Sequence, residues 1–131
     1  MFVLTIPGEP KGKGRPRLGK NVTYTPKDTV EYENLVKLCF YQSEYKKLEG
    51  EIKATIKAYY SIPKSASKKN RSLMEQNLIR PTKKPDLDNV AKIILDSLNK
   101  LAYDDDSQVV VLVIEKFYSD NPRVVVSLDA L

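Results

Sequence analysis

Apolar residues follow a strand-like pattern in four segments of the chain. The alternation is cleanest from Glu51 to Tyr60, where apolar side chains recur at every second position and predict a strand with one solvent-facing surface. Phe2 to Ile6 and Val124 to Leu128 are shorter predicted strands, each beside a proline-containing turn. Val109 to Phe117 is apolar at consecutive positions in its first half, which is typical of a central strand covered on both faces.

Apolar positions three to four residues apart predict three helices. Their expected bounds are Pro26 to about Leu48, Ser65 or Ser67 to about Leu78, and residues 87–101. Residues 9–20 hold two prolines and three glycines between basic residues, so we expect a mobile basic loop with accessible backbone N–H groups. These elements predict a single α+β domain over residues 1–131, with helices packed on a small mixed β-sheet.

Composition limits the chemistry that the chain can perform. Its 131 residues suffice for one domain with a buried core, and 41% of them are apolar, within the globular range. The chain has no histidine and one cysteine, which excludes histidine-dependent triads, Cys/His zinc sites and an intrachain disulfide. We predict neither a signal peptide nor a membrane span, and expect no membrane partner and a cytoplasmic protein.

Positive charge is concentrated in two segments. The net charge is +5 at pH 7, but residues 1–20 carry +4 and residues 64–84 carry +6, so the remainder is acidic. Basic segments favour a polyanionic partner, because each neutralised phosphate releases condensed counterions. The alternative is that lysine-rich loops only keep a small protein soluble, and composition does not decide between the two.

Aspartates are clustered around the third predicted helix. They are Asp86 and Asp88 at its start, Asp96 within it, and Asp104-Asp105-Asp106 just before the next strand. Asp88, Lys92 and Asp96 are four residues apart and therefore share one helix face. Because Asp86 and Asp106 flank opposite ends of the helix, they can meet only if the chain bends suitably or a second subunit supplies one of them.

These acids allow a metal site or a purely structural role. Oxygen ligands in a chain without histidine select Mg²⁺ or Mn²⁺, ions that can activate water and stabilise charge on a phosphoryl group. In the structural alternative, Asp86 or Asp88 is a helix N-cap, the acids around Lys92 form an exposed ion-pair ladder, and residues 104–106 form a solvated turn. The spacing alone leaves both open.

The order of these motifs resembles that of the RusA family of Holliday-junction resolvases, above all its phage and prophage members. The resemblance is carried by Ile6-Pro7-Gly8, Lys13 to Arg17, Tyr24-Thr25-Pro26, Ile62 to Ser65, Ser67-Lys68-Lys69, Lys84 to Lys92, Asp96, and Asp105 to Val109. These segments cover nearly the whole chain in order. One departure is that Ser61 to Lys84 looks longer than in the shorter members of the family.

The resemblance implies a homodimeric, Mg²⁺-dependent endonuclease that nicks four-way DNA junctions symmetrically in DNA recombination and repair, with Mn²⁺ as an alternative ion. The catalytic positions of the family fall on Asp86, Asp88, Lys92 and Asp106 by motif. The same three aspartates would bind the metal, and Asp105 is the second choice for the third ligand. A bacterial host cell and a phage or prophage origin are implied by the resemblance alone.

Seven basic side chains would contact DNA phosphates without reading bases. They are Lys11, Lys13, Arg15, Arg17, Lys68, Lys69 and Arg71. The alternative function is a non-catalytic module that binds branched or double-stranded DNA, with the acids as caps and turns. A third hypothesis, a different metal nuclease that uses Glu51-Ile52-Lys53, leaves the aspartate motifs without a role.

Overall fold

A computed structural model describes the backbone of residues 1–14, 17–19, 22–24 and 26–131, and the side chains of residues 1–14 and 26–131. The elements, in chain order, are β1 (Phe2–Pro7), β2 (Arg17–Gly19), β3 (Val22–Tyr24), α1 (Lys27–Tyr41), β4 (Ile52–Ser61), α2 (Lys68–Glu75), α3 (Leu87–Leu98), a 3₁₀ turn (Asp106–Gln108), β5 (Val109–Ser119) and β6 (Arg123–Ala130). No helix in these residues is long and apolar enough to cross a membrane.

The main sheet is mixed and has the strand order β1-β6-β4-β5. Strand β6 is antiparallel to both β1 and β4, whereas β4 and β5 run parallel. Every second side chain of β4 from Ile52 to Tyr60 is buried, as the alternation predicted. The buried face packs against apolar side chains of α1 and α3, including Val36 and Ile94. The predicted α+β fold is therefore confirmed.

Strand β5 lies at the edge of the sheet, so the predicted central position was wrong. Its described partner is β4, and its other edge is unpaired in the described part of the chain. The side chains from Val110 to Val113 are between 39% and 55% exposed. Consecutive apolar residues show that both faces of a strand are suited to burial, but they do not say what buries them.

Helices α1 and α3 both end earlier than predicted. Helix α1 stops at Tyr41, because Ser43 folds back and donates both its N–H and its hydroxyl to the carbonyl of Phe40. Tyr45 continues the apolar spacing from outside the helix, since its ring stacks on Phe40 at a centroid distance of 4.4 Å. Helix α3 stops at Leu98, because the next residue leaves the helical conformation.

Helix α2 confirms one of its two predicted N-caps. The Ser67 hydroxyl accepts a 3.1 Å hydrogen bond from the Asn70 N–H, as expected of an N-cap serine. The helix ends at Glu75, before the predicted end near Leu78. Its side chains lie beyond the carboxyl ends of β4 and β5, where Arg71 forms an ion pair with Asp120 at 2.8 Å.

The described part of the basic segment, residues 9–14 and 17–19, is more ordered than predicted. Residues 17–19 form β2 and pair with β3, so the expectation of a wholly irregular loop was wrong. Nor are its backbone N–H groups all accessible: Lys13 N–H donates to the Asn89 carbonyl at 3.1 Å and Gly14 N–H donates to the Thr29 hydroxyl at 2.9 Å. A Cβ on Gly14 would lie only 2.5 Å from that hydroxyl, so this packing requires glycine.

Candidate functional site

The carboxylates of Asp86 and Asp88 lie at the start of α3. Asp86 occupies the N-cap position, but its side chain makes no capping hydrogen bond, and Asp88 lies in the first helical turn. Both side chains are exposed. The segment before them is fixed to the sheet, because the hydroxyl of Tyr60 donates a 2.6 Å hydrogen bond to the Pro85 carbonyl. A capping role therefore does not account for Asp86, which leaves its carboxylate available to a ligand.

A cavity of about 520 Å³ opens beside Asp86. Its charged lining consists of Lys11, Lys13, Lys83, Lys84, Glu9 and Asp86. Burial, and after it the negative charges of Asp86 and Glu9, raise the pKa of Tyr60 to about 12, which places both carboxylates near this ring. Lys11, Lys83 and Lys84, which line the cavity beside the positive end of the α3 dipole, form a surface suited to phosphate.

Sequence reasoning missed three residues of this cavity. Glu9 accepts a hydrogen bond from the Ser61 N–H at 3.2 Å, and so joins the basic loop to the end of β4. Lys83 and Lys84 were counted in the basic segment but not assigned to the site. The positive charge of residues 64–84 could have indicated that Lys83 and Lys84 belong to the site. No feature of the sequence pattern indicated Glu9.

The acidic turn, residues 104–106, lies beyond the other end of α3. Asp106 N–H donates a 3.0 Å hydrogen bond to Asn99 Oδ1, which holds the turn against the helix end. The buried Tyr103 donates its hydroxyl to the Leu95 carbonyl at 2.7 Å. Burial raises the pKa of Tyr103, and the charges of Asp106, Asp96 and Asp105 raise it further. The charges of these carboxylates therefore act on one buried hydroxyl.

The three aspartates of the acidic turn have different surroundings. Asp104 forms an ion pair with Lys47 at 2.5 Å. Asp105 accepts a 3.2 Å hydrogen bond from the Ser107 N–H as the cap of the 3₁₀ turn, and hydrogen bonds with Ser107 lower the pKa of its carboxyl. The Asp106 carboxylate has no such partner among the side chains that the structure describes. Of the two adjacent candidates for a metal ligand, Asp106 is therefore the one left free by the fold.

An ion-pair cluster joins α3 to α1 and the basic loop, and most of its side chains are half-buried. Lys92 Nζ lies 3.1 Å from Asp96 Oδ2, and Lys13 Nζ lies 3.4 Å from the same oxygen and 2.8 Å from Glu33 Oε2. Partial burial acts to lower the pKa of Lys13, but the hydrogen bonds and charges of Glu33 and Asp96 leave it raised. Of the ion-pair ladder expected from Asp88 to Asp96, the described side chains form the Lys92–Asp96 pair but no Asp88–Lys92 pair. Lys13, a predicted DNA contact, already neutralises two acids.

The predicted metal ligands occupy two separate places in one chain. Helix α3, with 12 residues, is about 18 Å long, and Asp86 and Asp106 lie beyond its opposite ends. Within residues whose side chains are described, no three acidic, cysteine or histidine side chains come close enough to share a metal ion. One copy of the chain thus brings Asp86 and Asp88 to one place and leaves Asp106 at another.

The side chains predicted to contact DNA differ in whether they are exposed or already held in an ion pair. Lys11, Lys68 and Lys69 are exposed, whereas Arg71 is held by Asp120. Arg15 and the side chain of Arg17 lie outside the described residues. The first three lysines are therefore the described members of the set that can contact a phosphate without breaking an ion pair.

The long segment between β4 and α3 is attached to strand β5 through the residues that lie just before α3. The Arg80 guanidinium lies 4.5 Å from the centre of the Phe117 ring and pairs with Glu115 at 3.0 Å. Lys116 Nζ donates a 2.7 Å hydrogen bond to the Lys83 carbonyl. The lysines of the cavity are thereby held beside the second half of β5.

Comparisons with known proteins match the part of the chain that contains both the cavity and the acidic turn. The family model described as Endodeoxyribonuclease RusA matches residues 7–129, which include the cavity, α3 and the acidic turn. A protein of Bacillus subtilis (strain 168) named "Uncharacterized protein YqaN" is 41% identical over 132 residues, which cover 95% of this chain and 93% of that protein. The similarity therefore extends over the whole fold rather than one motif.

Proposed function

We propose, from the premise that this chain belongs to the RusA endodeoxyribonuclease family, that it is a divalent-metal-dependent nuclease that nicks four-way DNA junctions. The observation that carries the proposal is the position of Asp86, whose free carboxylate lies in a cavity lined by four lysines. Lysines that attract a phosphate beside acids that attract a cation are the combination that phosphodiester hydrolysis needs. The resulting reaction would serve DNA recombination and repair.

The donor atoms fit Mg²⁺, with Mn²⁺ as the alternative. They are carboxylate oxygens, the hard ligands that both ions prefer, in a chain without histidine. Asp86, Asp88 and Asp106 would hold the ion, and Asp105 is excluded from our proposed set because it caps the 3₁₀ turn. A divalent ion held there would activate water and stabilise the charge of the phosphoryl group.

One chain does not supply this ligand set, and we propose that a second copy completes it through the edge of β5. Val110 to Val113 form an exposed apolar segment with no charged residue on an unpaired strand edge. Such an edge favours pairing with another strand, and a two-fold axis lets identical segments pair antiparallel. The second copy of this chain is therefore the occupant that we assign to this edge.

This pairing brings the separated acids towards each other. A two-fold axis between Val111 and Leu112 would place Asp106 opposite Phe117 of the second copy. In each copy, the end of β5 lies beside the segment that precedes Asp86, because Lys116 bonds to the Lys83 carbonyl. The acidic turn of one copy would then face the cavity of the other. Two such sites related by the two-fold axis account for symmetric nicks.

The remaining charged side chains would orient the substrate. Lys11, Lys83 and Lys84 line the cavity and would hold phosphates next to Asp86. Lys68 and Lys69 project from α2, near the same end of the sheet, and would contact a neighbouring stretch of backbone. Lys92, which is 62% exposed, would place a positive charge where negative charge develops in the transition state.

The experiment compares a labelled synthetic four-way junction with a linear duplex of the same sequence, with and without Mg²⁺, on a denaturing gel. We expect paired, symmetric nicks that require both the junction and the metal. Binding without nicks in Mg²⁺ and in Mn²⁺ would contradict the proposal and favour the non-catalytic binding module. Equal cleavage of the linear duplex would contradict the junction specificity while leaving a nuclease. The proposed setting is the cytoplasm of a bacterial host cell, with a phage or prophage origin.

A further inference from the structure

The acidic turn places three carboxylates on consecutive residues, which repel one another. Its backbone is nevertheless fixed, because each N–H from Asp104 to Ser107 donates to a side-chain oxygen. The acceptors are Gln108 Oε1 for Asp104 and Asp105, Asn99 Oδ1 for Asp106, and Asp105 Oδ2 for Ser107. The four N–H groups are therefore directed at side chains of the chain itself and are not free to bind a phosphate.

Gln108 makes the largest contribution to this arrangement. Its oxygen accepts hydrogen bonds of 2.8 Å and 3.1 Å from the turn. Its nitrogen donates to the carbonyls of Leu48 and Gly50 at 3.3 Å and 3.1 Å, in the segment that leads into β4. One amide thus connects the acidic turn to the sheet with two acceptor and two donor contacts. A carboxylate of the same length would turn two attractive contacts into repulsive ones.

We infer that Gln108 and Asn99 are positioning residues for Asp106. Neither side chain is a ligand in our scheme, since the described hydrogen bonds of both go to the backbone of the turn and of the loop before β4. They fix the backbone that carries Asp106 before any metal is bound, which reduces the ordering cost of binding. This inference rests on the proposed function, and it gives a role to Gln108, which lies in the segment Asp105 to Val109 that carries part of the family resemblance.

The test compares Gln108→Met, which keeps the length of the side chain and removes its hydrogen bonds, with the matched control Gln76→Met. Gln76 is an exposed glutamine at the end of α2 whose amide bonds to Ser72. Full-length proteins are titrated with Mn²⁺ by electron paramagnetic resonance, and amide hydrogen exchange is followed at residues 104–107. We expect Gln108→Met to weaken Mn²⁺ binding about tenfold, or about 1.4 kcal/mol, and to speed exchange in the turn. The control Gln76→Met should change neither the affinity for Mn²⁺ nor the exchange rate at residues 104–107.

Asn99→Ala keeps the inference testable if Gln108→Met does not fold. It removes one hydrogen bond, to the Asp106 N–H, and should weaken Mn²⁺ binding by a smaller factor. A lower melting temperature with unchanged Mn²⁺ affinity in a folded variant would overturn the inference and leave both residues purely structural. A wild-type protein that binds Mn²⁺ but does not nick a junction would contradict only the proposed function. Absence of Mn²⁺ binding in the wild type would contradict both.

Discussion

The hydroxyl of Tyr60 donates a 2.6 Å hydrogen bond to the carbonyl of Pro85, the residue before Asp86. Tyr60 is 1% exposed and belongs to the central strand β4, so this bond joins the rigid sheet to the start of α3. The backbone that carries Asp86 is therefore positioned by a buried residue. Positioning by a rigid element is what precise ligand geometry requires.

Replacing Tyr60 by Phe should lower both stability and nicking. Loss of the bond to Pro85 should reduce the free energy of unfolding by about 1 kcal/mol, as for other buried hydrogen bonds. Junction nicking should fall about tenfold or more, because Asp86 is no longer held in place. Urea unfolding and single-turnover cleavage measure the two effects. Tyr59→Phe, on the opposite face of the same strand, is the control, and equal loss of nicking in both variants would contradict the role of this bond.

Asp106→Asn and Asp105→Asn should have different effects on nicking. Asp106 has a free carboxylate and is our third metal ligand, so its replacement should abolish nicking while junction binding is retained. Asp105 caps the 3₁₀ turn, and asparagine can make the same cap, so this variant should keep most of the activity. Cleavage gels and a mobility-shift assay on one junction measure both properties. Loss of nicking in Asp105→Asn alone would reverse our assignment.

The Asp105 cap should also make stability depend on pH. The pKa of Asp105 lies below its ordinary value of 3.8 in the folded protein. The contribution of the Asp105 carboxylate to the free energy of unfolding is therefore fully present well above pH 3.8. It is lost as the pH falls through the lower pKa that Asp105 has in the folded protein. The difference in unfolding free energy between the wild type and Asp105→Ala should be clear at neutral pH and narrow in strong acid. Urea unfolding at several pH values measures it, and a constant difference would be the contrary result.

A charge on the edge of β5 should separate the proposed dimer. Leu112→Lys places an ammonium group in the middle of the exposed apolar segment and should convert a dimer to a monomer in sedimentation velocity. Nicking should be lost with it, because Asp106 no longer faces the cavity of a second copy. Leu78, which is 69% exposed in the turn after α2, provides the matched control Leu78→Lys. A dimeric Leu112→Lys protein would refute β5 as the interface.

Much of the fold follows from short-range pattern. Alternation along β4 correctly predicted its buried face, and the apolar stripe after Asp86 predicted α3. The edge position of β5 was not predictable, because the apolar character of a strand is the same whether its own chain or another chain covers it. The end of α1 was missed because Tyr45 packs back on Phe40 from outside the helix.

The motif order predicted the family, and the family match confirms it. The separation of Asp86 from Asp106 was also foreseen from their places at opposite ends of one helix. Other features needed the folded chain. Glu9 reaches the cavity because the ends of β1 and β4 flank the start of β6 on its two sides. The pairing of Lys13 with Asp96 likewise depends on contacts between distant segments. The catalytic, metal and DNA-contact assignments stay predictions.

Mixing of two inactive variants tests most directly whether the site is shared between two copies. Asp86→Asn and Asp106→Asn proteins are unfolded together, refolded as mixed dimers and incubated with a labelled four-way junction and Mg²⁺. In our account each mixed dimer has one site with both substitutions and one intact site, so nicks should reappear although neither variant cuts alone. If the wild type nicks the junction and the mixture does not, each site is built from a single chain and the account is wrong.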